Sequence, residues 1–555
     1  MNKGYRIFSI ILTILTVLAT GFFVYQLVKL GVLPTQILLP IIAAIILIVL
    51  IMALLVVFMA KSVVSRSITS ILMVLICAII AFGGFNIYKT SSMLSNITTP
   101  EGKVANKISV VALKDSQIEN LKGLRDKKVG VLNTLDRVGT DKCLDAIANE
   151  NVTITQTGFD GLNAEVAALY DHSVDAIILN EARRGSVAEN EQYVNFDNDT
   201  KVVYETVYYT DAVQGSAKKV NDITQQPFTV LISGSDSRNG FAEAGRSDVN
   251  MVATVNPQTH TVLLTSIPRD FYVTTQCDEG YGCAQGQLDK LTHTGLHGVE
   301  TTKKTIENFL GIEINYTLRV NFNSVVNLVD ALGGIDVFVP EGYAVESFWT
   351  NPAYGVHEGE NHLDGEGALA FARERYAYTE GDFQRVKNQQ TVLMAVAQKA
   401  LSPAVIVNYS RLMDALGGAL ETDLSDEEIQ KLIHNQIDNG GNWNFITTTL
   451  DGTGSTEFCA ELGDRAYVTI PNEESVQMAR QQIQEVLEGQ PVTESAPAQQ
   501  EQPAEQSQEE TPVVEDQTYV EESTPQGDVY YGEDQTYVED PVYYDPNAVD
   551  STYGY

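Results

Sequence analysis

Three apolar stretches open the chain, Ile7 to Leu30, Gln36 to Ala60 and Ile68 to Tyr88. Each has roughly the 20 residues that a helix needs to cross the hydrocarbon core of a membrane. A cleaved leader carries one such run with a small-residue cleavage site, so three in succession read as anchors of a multi-pass cell-membrane protein. Lys3 and Arg6 precede the first stretch, and Lys61 and Arg66 separate the second from the third. Short basic flanks stay cytoplasmic, which puts everything after about Tyr88 in an extracytoplasmic position, with Lys29 the one residue against this orientation.

The rest of the 555 residues changes character along its length. Between about 100 and 215, short β-branched runs (Lys107 to Leu113, Lys128 to Leu132, Val152 to Thr155, Val174 to Leu179) alternate with helical patterns at Asp141 to Ala148 and Gly161 to Tyr170. That alternation predicts a small accessory α/β domain with a largely parallel sheet. Leu121 to Gly130 and Val174 to Leu179 resemble pieces of an extracytoplasmic solute-binding lobe, but one lobe without a second makes no ligand clamp, and a folded spacer or partner-docking module is the other reading.

A second α/β domain is expected over 227–488. Its strand candidates are Phe228 to Ile232, Val249 to Val255, Thr261 to Thr265 and Tyr467 to Ile470, with Asn256 to His260 as a hairpin turn. Helices are expected at Gly298 to Phe309, Phe322 to Leu332, Gly365 to Tyr376 and Asp382 to Leu401. Gly333-Gly334 closes the second of these. Lys303 reads as an exposed position of the first. Residues 489–555 turn to Gln, Glu, Pro, Thr and Tyr, repeat Glu-Asp-Gln-Thr-Tyr-Val-Glu at 515 and 533, and read as a disordered acidic tail.

That tail supplies much of the net charge of −36, for no Lys or Arg follows Arg480. A nucleic-acid partner would call for a basic footprint, so none is expected. Of five cysteines, Cys77 lies in an apolar stretch and Cys277 and Cys283 are placed for a local disulfide. Cys143 and Cys459 are either free or paired, and no zinc spacing occurs.

The chemistry concentrates in acid–arginine clusters beside strand-like runs. Leu231 to Arg238 contains Asp236 and Arg238, Gly245 to Asp248 contains Arg246 and Asp248, and Ser266 to Asp270 contains Arg269 and Asp270. Later come Arg373-Glu-Arg375 and the run Asp382 to Gln389, in which Arg385 and Gln389 share a helical face with Asp382. Any one of these alone would read as a helix cap or a surface ion pair. Together, carboxylates that suit Mg²⁺ and guanidiniums that suit phosphate oxygens point to a pyrophosphate.

With Asp289-Lys-Leu-Thr-His293 and Val329-Asp-Ala-Leu-Gly-Gly-Ile-Asp336, these motifs stand in an order that resembles the LytR–CpsA–Psr family of cell-wall glycopolymer ligases. The resemblance is close over about Phe228 to Ala400 and looser on to Glu488. Three spans with an intervening domain are similar to its capsule-associated members. It implies a phosphotransferase that passes a glycopolymer of teichoic acid or capsule type from a polyprenyl-pyrophosphate carrier to a hydroxyl of peptidoglycan. By the same resemblance Asp236 and Asp248 would hold Mg²⁺. Arg238, Arg246, Arg269, Arg373, Arg375 and Arg385 would pair with the pyrophosphate, supported by Gln389.

Asp382 is the first choice for accepting the hydroxyl proton and Asp270 the second. Catalysis would rest on Asp382, Arg269, Arg373 and Arg375. Family members house the lipid in an apolar tunnel, for which Phe322 to Leu332 and Val392 to Leu401 are wall candidates or ordinary core. No GxxxxGK[ST], HExxH or GxSxG occurs, which disfavours an NTPase, a zinc protease and a common serine hydrolase. His293 and His297 read as structural. Two other functions remain open on the residues: hydrolysis of polyprenyl pyrophosphate, and a non-catalytic anchored scaffold that binds lipid-linked precursors.

Overall fold

A computed structural model of the chain describes residues 3–31, 33, 35–59, 62–98, 103–188, 190–211, 216–235, 245–278, 283–400, 420–439 and 443–493. The apolar stretches form helices α1 (Lys3–Leu30), α2 (Thr35–Leu54, continued by a π-helical turn to Met59) and α3 (Val63–Thr98). All three are long and apolar enough to cross a membrane. At one end of this group, the Tyr5 hydroxyl donates to Val56 O at 3.3 Å, and the Arg66 guanidinium lies 5.2 Å from the Tyr5 ring. At the other end, Gly31 takes φ +63° so close to the helix Asp426–Asn439 that a Cβ there would stand 2.8 Å from Gln430 Oε1.

The first sheet contains β1 (Lys103–Leu113), β2 (Lys128–Leu132), β3 (Thr155–Phe159), β4 (Ala176–Asn180) and β5 (Thr200–Asp211), in the order β3-β2-β4-β1-β5. Helices α4 (Arg137–Asn149) and α5 (Leu162–Tyr170) cross over between β2, β3 and β4, which are parallel. The one-turn helices α6 (Arg184–Val187) and α7 (Phe196–Asp199) lead to β5. The sheet is mixed, where the alternation predicted a largely parallel one: β1 runs antiparallel to both β4 and β5. Only a 3₁₀ turn, Leu121–Leu124, separates β1 from β2. A parallel connection needs a crossover element long enough to return over the sheet, and this link has none. Val152, expected in a strand, instead packs into the core ahead of β3.

The second sheet has the order β14-β11-β6-β7-β8-β15, built from β6 (Phe228–Ser235), β7 (Ser247–Asn256), β8 (Thr261–Ser266), β11 (Tyr316–Asn321), β14 (Leu420–Thr422) and β15 (Asn444–Thr449). β6 and β11 are parallel, as are β8 and β15, while β7 opposes both of its neighbours. Strands β6, β8, β11 and β15 therefore all end on the same edge. Small hairpins flank the sheet: β9 (Tyr272–Thr274) with β10 (Leu288–Lys290), β12 (Ile335–Val339) with β13 (Gly359–Leu363), and β16 (Gly452–Cys459) with β17 (Asp464–Pro471).

Helices α8 (Val299–Leu310), α9 (Phe322–Ala331), α10 (Gly365–Arg373), α11 (Asp382–Ala400) and the helix Glu473–Glu488 cover it. On one face Leu231, Val252 and Leu263 meet Val476, Ala479 and Ile483 of Glu473–Glu488; on the other, Val230, Ile232 and Met251 meet Leu393 and Met394 of α11. The tunnel-wall candidates enter a packed cluster in which Val329 joins Val337, Val392 and Ala395; Leu401 lies outside the described residues.

Gly333 and Gly334 end α9 at φ +80° and +86°, values that cost a side-chain-bearing residue dearly. Lys303 is the clearest miss on this domain. It is fully buried, because the segment after Ser216 crosses over α8 and Ser216 O accepts from its Nζ at 2.6 Å. Cys277 and Cys283 form a disulfide. Cys143 and Cys459 are buried thiols outside that disulfide, and burial pushes the Cys143 thiol up to about 12.

A chain of buried charges joins the first sheet's domain to the hairpins that flank the second sheet. Arg183, just before α6, holds Glu461 of the β16–β17 turn at 2.8 Å. His297 Nε2 lies 2.6 Å from the other Glu461 oxygen. The Glu461 N–H donates to Asp289 Oδ2 at 2.5 Å, and Asp289 Oδ1 meets His293 Nδ1 at 2.7 Å. Burial opposes ionisation of Glu461, but Arg183 and His297 outweigh it and hold the carboxyl well below the usual range.

Candidate active site

Strands that end together leave a crevice at their carboxyl edge, and in open α/β sheets that crevice is where ligands bind. Here β6 ends at Ser235, just before Asp236 and Arg238, which lie outside the described residues. β8 ends at Ser266 and leads through Pro268 to Arg269 and Asp270; the neighbouring β7 starts at Ser247, between Arg246 and Asp248. β11 ends at Asn321, whose side chain caps α9.

Arg269 Nη1 donates to Asp248 Oδ1 at 3.0 Å, and the Thr292 hydroxyl donates to the same oxygen at 3.0 Å. Asp270 lies between two cations, 3.6 Å from Arg269 Nε and 3.5 Å from Lys290 Nζ. From α11, Arg385 Nη2 stands 2.5 Å from Asp382 Oδ1, so the expected shared helical face exists and is used by an ion pair.

Burial opposes the charge on Asp248, yet Arg269, Arg246 and Arg385 hold its carboxyl well below the usual carboxylate range. Arg385 moves the other way: burial, with Arg269 and Arg375 adding to it, lowers its guanidinium from the ordinary value, against the pull of Asp382 and Asp248. Arg246, Arg269, Lys290 and Arg385 are all at most 9 % exposed. Among the described residues they face the carboxylates Asp248, Asp270 and Asp382. Guanidiniums gathered in a buried setting offer charge-assisted, bidentate hydrogen bonds of the kind that phosphate oxygens accept.

The two remaining arginines sit at the rim. Arg373, the last residue of α10, lies over the Phe322 ring at 4.6 Å. Arg375 lies over the Tyr376 ring at 4.6 Å, and its Nη2 donates to the Tyr376 hydroxyl at 2.5 Å. The helix expected to reach Tyr376 stops at Arg373 because Glu374, which is completely buried, turns extended. Its Oε1 accepts the N–H groups of Arg375, Tyr376 and Ala377, and its Oε2 those of Trp349 and Thr350.

Gln389 is half-buried, whereas its neighbour Gln390 is buried and donates to Thr448 O at 2.8 Å, fastening α11 to the sheet. Lys290 and Thr292 belong to this site but were not singled out from the sequence. The signal was present, since both lie in the run Asp289 to His293 that carries the family resemblance. His293 and His297 both enter the buried charge chain, at Asp289 and Glu461. No group of three or more His, Cys, Asp or Glu side chains able to hold a metal occurs among the described residues.

A model of the LytR_cpsA_psr family matches residues 192–485. The polyisoprenyl-teichoic acid–peptidoglycan teichoic acid transferase TagU of Enterococcus faecalis V583 is 35% identical over 226 residues, covering 40% of this chain and 70% of its own. The protein of the same name from Halalkalibacterium halodurans is 34% identical over 252 residues, covering 45% and 76%. Among solved structures, that of Bacillus subtilis TagT is 26% identical, covering 50% of this chain and 100% of its own, with a TM-score of 0.39.

Proposed function

The chain belongs to the LytR_cpsA_psr family, and from that premise we propose that it transfers a glycopolymer of teichoic-acid or capsule type from a polyprenyl-pyrophosphate carrier to peptidoglycan. The relatives' names supply the polyisoprenyl donor, the teichoic acid and the peptidoglycan acceptor. The observation that carries the reading is the gathering of three buried arginines, Arg246, Arg269 and Arg385, around Asp248.

In the reaction, an acceptor hydroxyl attacks the phosphorus that bears the polymer. A new P–O bond forms, the bond from that phosphorus to the bridging oxygen breaks, and polyprenyl monophosphate leaves with the electron pair. Arg246, Arg269 and Arg385 stabilise the charge that grows on the leaving phosphate, with Arg373 and Arg375 at the rim. Asp382 is the first candidate for taking the hydroxyl proton and Asp270 the second. Each is paired with an arginine that fixes its position beside the cluster.

Mg²⁺ is part of the proposal. Asp248 fits a hard cation: its carboxyl stays ionised, and its Oδ2 accepts no hydrogen bond from the described residues, both Arg269 and Thr292 using Oδ1. Asp248 would hold the ion together with Asp236. When bound, Mg²⁺ would offset charge on the diphosphate oxygens.

The catalytic domain lies outside the cell in this reading. The basic residues Lys3, Arg6 and Arg66 share one end of the helix group, and the helix Asp426–Asn439 abuts the opposite end at Gly31. Supplying the full-length protein with labelled lipid-linked polymer and peptidoglycan tests the function. Label should become covalently attached to peptidoglycan. Label released as soluble polymer phosphate would mean that water is the acceptor, and label left on the lipid would leave a binding scaffold.

A further inference from the structure

Trp349 and Tyr376 are 74 % and 61 % exposed, and their rings stand 5.8 Å apart at 54°. Single exposed aromatics are ordinary on a protein surface, but a pair that the fold goes out of its way to assemble is not. The two residues come from different loops, and the same buried carboxylate, Glu374, accepts the backbone N–H of both. With Phe348 and Ala377 they line a pocket of about 480 Å³. One lining residue also touches the rim of the anion site: the Arg375 guanidinium rests on the Tyr376 ring and bonds its hydroxyl. The field of Arg375 also reaches Arg385 in the centre of the cluster.

We infer that Trp349 and Tyr376 form a stacking platform for the first sugar ring of the lipid-linked donor, a pyranose joined directly to the diphosphate. This rests on the transferase reading above. A pyranose presents a face of C–H groups that are apolar and slightly positive, which matches the negative face of an indole or phenol ring. Its hydroxyls stay in water at the open rim.

The tether decides between the donor and acceptor sugars. Two partly exposed rings hold a free saccharide only weakly. A sugar already fixed through its phosphate is presented at high effective concentration, so the same weak contact suffices. The platform would then orient the transferred sugar phosphate, with Glu374 as the residue that positions it.

The chain has two tryptophans, so Trp443→Phe leaves Trp349 as the sole indole fluorophore in the full-length protein in detergent. A short-chain prenyl diphosphate bearing one N-acetylhexosamine should shift and quench its emission, and the same prenyl diphosphate without sugar should not. Calorimetry on Trp349→Ala and Tyr376→Ala, in protein that keeps Trp443, gives an independent measure. Trp349→Ala should bind the sugar-bearing ligand about tenfold more weakly, a change of roughly 1.4 kcal/mol, and the sugar-free ligand normally; Tyr376→Ala, which also releases Arg375, should lose more for the sugar-bearing ligand than for the sugar-free one.

Equal loss for both ligands, or no loss for the sugar-bearing one, overturns the platform. So does a peptidoglycan disaccharide lacking diphosphate that shifts Trp349 emission at the same or lower concentration, which would make the face an acceptor site. If the wild-type protein binds neither prenyl diphosphate, the transferase reading itself fails. If it binds the sugar-free one while Trp349 stays silent to both, only the platform does.

Discussion

Arg269 carries two loads, and a substitution there should reveal both. It neutralises Asp248 and Asp270 in a buried setting and also faces the proposed diphosphate. Arg269→Ala leaves two carboxylates short of a partner, and removing one member of a buried pair typically costs about 3–5 kcal/mol. We expect it to lower the melting temperature as well as ligation. Arg375→Lys and Arg373→Lys, at the rim, should spare stability. They keep the charge and lose the planar fork, so turnover should fall on the order of 10²–10³ with a smaller change in donor affinity. Near-normal ligation in both would remove the rim arginines from the reaction. Asp248→Asn should flatten the Mg²⁺ dependence of donor binding, measured by calorimetry across a Mg²⁺ series; an unchanged dependence would take Asp248 out of the metal site.

Elements show where residue patterns carry information and where they do not. Strands β6, β7 and β8 are legible because β-branched runs flanked by turn residues have few other uses, and α9 ends where two glycines demand positive φ. The end of α10 was not legible. Glu374 is an unremarkable helix former until its carboxylate captures five backbone donors from two loops, a tertiary event without a local signature. Lys303 failed for the same reason, since the strand of chain that buries it lies far away in sequence. Lys303→Ala should therefore destabilise the protein, and by more than Lys304→Ala, whose pair with Asp278 is partly exposed.

Helix α5 makes a pH-dependent claim of its own. Glu165 is fully buried, and burial raises its carboxyl from 4.5 to about 8, a backbone hydrogen bond offsetting this only in part. The folded state keeps a proton that the unfolded chain releases near 4.5. The stability this group supports is complete below 4.5 and is lost as pH rises through 8. Thermal unfolding should weaken over that window in the wild type, and Glu165→Gln should remove most of the slope. An unchanged slope would mean that another group titrates there.

At the scale of the whole molecule, the arginine motifs were readable in sequence while the joint between the two sheets was not. Arg183, the segment holding Asp289 and His297, and Glu461 are far apart along the chain, and nothing in the sequence pairs them with one another. The acidic tail should be dispensable, but the stop belongs further on than Gly489. Thr493 N–H donates to Glu485 at 2.7 Å, and Gln482 donates to Thr493 O at 2.8 Å. A chain ending at Ser495 should retain its turnover in the labelled-polymer assay.

The Arg183–Glu461 contact has a consequence for anyone grafting parts of this protein onto a relative. Glu461 is held ionised by a cation that belongs to the first sheet. Separate the second sheet from the first, and it inherits a charge it cannot solvate. A swap that transfers one sheet without the other should fold only if residues 183 and 461 are exchanged as a pair, so the two sheets are heritable as a unit.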